Sequence, residues 1–186
     1  MLIRRRLASG LMIALLAGLA VQPAAAQRGL EYEVKAAFIY NFIKFVEWPA
    51  DALAEGEPFR VCLAGEDPFG GAVERTVRGD TIGGHAITVE RSALDAVSPS
   101  CDLVFVPRAH AGRTAAIVKA LEGAPALLVG ESDGFLQAGG AIDLVVEGGH
   151  VRFDIAENHA AAHGLRISSK LLRVARNTGT HERQDH

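Results

Sequence analysis

The chain has 186 residues, 49% of them hydrophobic and 6% aromatic, with 19 Lys and Arg against 22 Asp and Glu. That length holds one domain with a proper core. The mildly acidic balance and the absence of a basic cluster exclude a nucleic-acid binder and argue against direct docking on anionic lipid.

Residues 1–26 read as a secretory signal peptide. Arg4, Arg5 and Arg6 form the positive end, Leu7 to Val21 the apolar stretch, and Ala24-Ala25-Ala26 the small-residue cleavage pattern. The apolar stretch is too short for a membrane span. A retained N-terminal anchor is the alternative. Processing before Gln27 leaves 16 basic against 22 acidic residues, a balance of −6.

Glu33 to Trp48 predicts a helix. It gathers Phe38, Tyr40, Phe42, Phe45 and Trp48 into eleven residues. Phe38, Phe42 and Phe45 share one side and are expected in the core, with Ile39, Ile43 and Val46 beside them. Asn41, Lys44 and Glu47 are the only polar stripe, and Pro49 ends the helix. A helix this apolar is either covered on most sides or carries an interaction surface. Tyr40, Asn41, Lys44 and Trp48 are the residues expected to line a partner or dimer surface, because Tyr and Trp join apolar area to a polar handle.

Strand and helix signals then alternate. Phe59–Ala64 is an apolar strand closed by Gly65-Glu66-Asp67-Pro68, and Phe69–Val77 a helix. Ala86–Glu90 and Asp102–Val106 are strands, Gly112–Leu121 a helix, and Ala126–Val129 a fourth strand. Ile142–Glu147 and His150–Ile155 flank Gly148-Gly149 as a hairpin. A last helix is expected from Ala156 to Ala175, and the polar segment 177–186 reads as a disordered tail. The fold class is therefore α/β. One compact domain over residues 27–176 carries a mostly parallel sheet with helices on both faces and a C-terminal hairpin plus helix.

Two cysteines in an exported chain, Cys62 and Cys101, read as one disulfide, with two buried thiols as the alternative. No CxxC redox motif, phosphate loop or nucleophile elbow occurs, so no catalytic residue and no cofactor is assigned. His159 and His163 have the spacing of a zinc pair, but Ala160 stands where a zincin has its Glu. They read as surface histidines rather than metal ligands. A small-ligand site is the stronger option. In an open α/β sheet it lies beyond the strands' carboxyl ends, where Arg108, Arg113 and Arg166 can hold an anion. Of these, Arg108 and Arg166 are the chosen ligand candidates.

Several blocks occur together in one order. The aromatic helix ends in Trp48-Pro49. Ile82-Gly-Gly-His-Ala-Ile-Thr-Val89 is followed by Cys101-Asp-Leu-Val-Phe-Val106. Leu127-Leu-Val-Gly-Glu-Ser-Asp-Gly-Phe135 precedes Gly139-Gly140-Ala-Ile142. Phe153-Asp-Ile155 and Gly164-Leu-Arg-Ile-Ser-Ser-Lys-Leu-Leu172 close the set. In this order the chain resembles the YfiR family of bacterial periplasmic proteins, over about Glu33 to Ala175. The resemblance implies a compact α/β domain that often dimerises. It also implies a periplasmic repressor that binds the sensor domain of an inner-membrane diguanylate cyclase and so restrains cyclic di-GMP and biofilm formation. Cys62 and Cys101 match the family's structural disulfide. The second disulfide of the described repressor would fall near Leu136 to Asp143, where this chain has no Cys. The alternative role is a periplasmic ligand-binding protein feeding a sensor kinase or transport receptor.

Overall fold

The computed structural model describes residues 24–179; most of the expected signal peptide, 1–26, and the expected tail from 180 lie outside the described residues. Helix α1 spans Ala24–Phe45 and runs into strand β1, Val46–Glu47. It starts nine residues earlier than the aromatic pattern suggests, because Ala24, Ala25 and Ala26 are strong helix formers as well as a cleavage pattern. Then follow β2 (Phe59–Ala64), α2 (Ala72–Val77), β3 (Thr81–Ile82), β4 (His85–Ser92) and β5 (Leu103–Val106). A 3-10 turn, Arg108–Arg113, leads into α3 (Thr114–Ala120) and β6 (Leu127–Gly130). The hairpin β7 (Ile142–Glu147) and β8 (His150–Ile155) follows, then α4 (Glu157–Ala162), β9 (Arg166–Ile167), α5 (Ser169–Leu172) and β10 (Asn177–Thr178).

The main sheet has the order β10-β8-β7-β6-β5-β2-β4-β3. The central run from β7 to β4 is parallel, as is β10 on β8; β8 on β7 and β3 on β4 are antiparallel. β5 and β6 are apolar throughout, and β2 except for Arg60, because both their faces are covered. Val61, Leu63, Leu103, Phe105, Leu127 and Val129 face α1 and α2. Cys62, Ala64, Val104, Val106 and Leu128 face the α3 side, with Ile117, Leu121 and Phe135. Cys62 and Cys101 form the disulfide, their Cα atoms 5.9 Å apart. The hairpin turn Gly148-Gly149 takes positive φ at both positions, as a two-residue primed turn requires.

Three expectations are corrected. The single helix from Ala156 to Ala175 is two short helices. Gly164 at φ +74° closes α4, and Ser168 restarts the chain as α5 by accepting the Leu171 amide on its Oγ at 3.3 Å. Between them Arg166–Ile167 pairs with β1, Val46 opposite Ile167 and Glu47 opposite Arg166. The expected disordered tail begins too early: Asn177 and Thr178 form β10 and pair with Asp154 and Ile155. Phe45 is not core. It stands 37% exposed on the outer side of α1, where the helix gives way to β1.

Phe135 shows how tightly the second face is closed. Its ring lies between Gly130 and Gly140, where an added Cβ would meet ring carbons at 2.4 Å and 2.0 Å. Gly140→Ala should therefore destabilise the domain by about 1–3 kcal/mol through overpacking, measurable by urea unfolding. An unchanged midpoint would mean that Phe135 can move aside.

Candidate functional site

The topological switch point lies between β2 and β5, since β4 and β5 flank β2 on opposite sides. Ligands of open α/β sheets gather beyond the carboxyl ends there. In this chain α1 reaches across the neighbouring strand ends and fills the space. Lys35, 1% exposed, bonds Glu131 just after β6 and also Glu31 one helical turn back. Tyr32 donates its hydroxyl to Glu131 Oε1 at 2.9 Å. Burial, then the Glu131 charge, pushes the Tyr32 phenol well above its ordinary pKa. Arg108 donates its backbone N–H to the same Oε1 at 3.1 Å and its Nε to the Glu131 carbonyl at 3.2 Å. Arg108 thus meets the Glu131 carboxylate through its main-chain amide, while its exposed guanidinium is steadied by the Glu131 backbone carbonyl.

Gly130-Glu131 is expected from the sequence at the carboxyl end of a strand, but Lys35 and Tyr32 are not singled out there as its partners. One signal was present: Lys35, Ile39, Phe42 and Val46 follow one helical stripe, so a lysine stands in line with core residues.

Arg166 is elsewhere, on β9. With Lys44 and Phe45 at the end of α1, Glu47 on β1, and Ile167 and Lys170, it lines an open groove of about 620 Å³. That is the size of small-ligand pockets. Strand pairing creates this groove: β1 meets β9 and brings Lys44 and Arg166, far apart in sequence, to one surface. Arg166 pairs with Glu47 across the two strands, with side chains 82% and 56% exposed. A pair this exposed contributes little, so both charges stay accessible to a partner.

The other residues expected on a partner surface divide. Lys44 donates to Tyr40 Oη at 2.9 Å and lies 4.6 Å over its ring, while Tyr40 donates to Asp80. Asn41 is exposed on the same helix. Trp48 is half-buried and packs edge-on against Phe59 at 4.9 Å; its Nε1 is buried and, among the described residues, finds no acceptor. His159 and His163 each engage a backbone carbonyl through Nδ1, that of Gly140 and that of Ala124, both at 2.9 Å. Both histidines are thereby used to fasten α4. Among the described residues no group of three or more His, Cys, Asp or Glu is placed to hold a metal ion, and no helix is long and apolar enough to cross a membrane.

No curated protein matches the chain. The family model described as YfiR/HmsC-like matches residues 32–176. Its bounds coincide with structural fasteners at both ends: Tyr32 bonds Glu131, and Arg176 holds Asp154 on β8. The match therefore takes in the main sheet short of β10, the disulfide and the β1–β9 groove, and the chain belongs to the YfiR/HmsC-like family.

Proposed function

We propose that this chain is a periplasmic regulator that binds the sensor domain of an inner-membrane diguanylate cyclase, holds it inactive, and so lowers cyclic di-GMP and biofilm formation. The observation that carries this reading is the family match over residues 32–176. The reading assigns no catalytic residue and no cofactor. The signal-like residues 1–26 supply the route to the periplasm.

The surface we assign to the partner is the groove of Lys44, Phe45 and Arg166, extended along α1 by Tyr40 and Asn41. It combines an exposed aromatic ring with cations whose local pairing is weak, the composition of an interface centre with a charged rim. The same groove has the dimensions of a small-ligand site. That supports a second reading, in which a saturable ligand depends on Arg166.

The test is intracellular cyclic di-GMP in a deletion strain, restored with wild type or with Lys44→Glu/Arg166→Glu. Deletion should raise the level and wild type should reverse it. The charge-reversed variant, accumulating normally, should fail to reverse it. An unchanged level on deletion of an expressed gene sinks the cyclase reading; full reversal by the variant removes the groove from it.

A further inference from the structure

The far edge of the sheet carries a buried feature that the groove does not involve. Asp143 on β7 stands directly opposite Asp154 on β8, and Asp154 in turn stands opposite Asn177 on β10. Asp143 is 8% exposed, and its Oδ1 has no hydrogen-bond partner among the described residues. Ile142, Leu144, Phe153 and Ile155 alternate with these carboxyls and point into the core on the α1 side. Both aspartates therefore project from the other face.

The guanidinium hydrogen-bonded to this pair, that of Arg176, is committed to Asp154. Arg176 donates Nε to Asp154 Oδ1 at 2.9 Å and Nη2 to Oδ2, and Asn177 Nδ2 adds 3.2 Å to Oδ1. Its remaining contact is with Glu147. Asp143 is faced by Asp154 from β8 and by Asp133 and the Ser132 amide from the turn after β6. Arg108 from the 3-10 turn is the cation that faces it. Ionising Asp143 would create a second buried anion beside the first with no donor for Oδ1. Burial, then the Asp154 charge, pushes the Asp143 carboxyl up to about 7.

We propose that the Asp143–Asp154 pair, capped by Arg176, makes the β7–β8–β10 edge a proton-controlled element: closed while Asp143 keeps its proton, opening to water as that proton is lost. β10 is the piece that yields. It is two residues long and is held by the Arg176 and Asn177 side chains, by Arg176 N–H on Phe153 O at 2.8 Å and by Gly179 N–H on Ile155 O at 3.0 Å. Its release lets water reach the carboxyls without disturbing the central strands. The folded carboxyl titrates above its open-state value, so closure is fully favoured at low pH. It is lost progressively as pH rises through about 7 and changes no further above that. This device goes beyond the proposed partner role and stands or falls separately from it.

The test is amide exchange at Gly179, expressed as protection relative to the intrinsic rate, in the mature chain. From about pH 5 to about pH 8 the wild-type protection should fall at least tenfold, while Asp143→Asn should stay level at the acid value. Protection independent of pH in wild type, or an equal fall in Asp143→Asn, overturns the proposal. Should Asp143→Asn fail to fold, carbon-13 titration of the wild-type carboxyls decides. Asp143 titrating near neutrality sustains the device, and titration in the ordinary carboxylate range overturns it.

Discussion

Lys35→Met should destabilise the domain by about 3–5 kcal/mol, the cost of leaving one member of a buried ion pair alone. Lys35 and Glu131 have side chains only 1% exposed, and they join α1 to the end of β6. Without the ammonium, the Glu131 carboxylate keeps the Tyr32 hydroxyl and the Arg108 amide but loses its only paired cation from α1. Met fills the volume of the lysine stem, so the loss measures charge rather than packing. The double variant Lys35→Met/Glu131→Gln should recover much of it, because a neutral amide still accepts from Tyr32 and Arg108. Urea unfolding of the wild type, both single variants and the double gives the coupling. A single-variant loss below about 1 kcal/mol would show that water solvates the Glu131 carboxylate once the ammonium is gone.

The same residue shows where sequence reading stops. The central strands are legible because each is a short apolar run between turn signals; Phe59–Ala64 and the Gly148-Gly149 hairpin match at both ends. Lys35 looked like one more polar residue because its partner lies 96 positions away. The β1–β9 pair is two residues on each side, too short to show any periodicity, yet it is what unites Lys44 and Arg166. Arg108 and Arg166 are both anion candidates in the sequence, with Arg166 preferred for its place in the Gly164-Leu-Arg-Ile-Ser-Ser169 block. The fold separates them by setting the Arg108 guanidinium on the Glu131 backbone carbonyl and Arg166 in an exposed pair with Glu47 on the groove. The split of the last helix was signalled by Gly164 and Ser168, a C-cap glycine followed by an N-cap serine, but the apolar spacing of Leu165, Leu171 and Leu172 outweighed both.

Removing the disulfide as Cys62→Ala/Cys101→Ala should cost about 4 kcal/mol in the chain-entropy account. The bond closes a segment of 39 positions that contains α2, β3 and β4. In a domain of this size the loss corresponds to a melting point lower by about 8–16 °C, read by calorimetry. Cys62→Ser should do worse than Cys62→Ala, because position 62 is fully buried among Val104, Val106, Leu128 and Phe135 and offers a hydroxyl no water. The fold itself should survive. Asp102 independently ties β5 to β2: its N–H donates to Arg60 O at 2.9 Å, and its Oδ2 accepts the Arg60 N–H at 2.7 Å. A structural bond then predicts that the double-Ala variant melts early yet, where it is folded, restrains cyclic di-GMP as wild type does if the proposed cyclase role holds. The groove of Lys44 and Arg166 is built on α1, β1, β9 and α5, none of which lies in the closed segment. Restraint lost while the variant is still folded would make this bond regulatory instead.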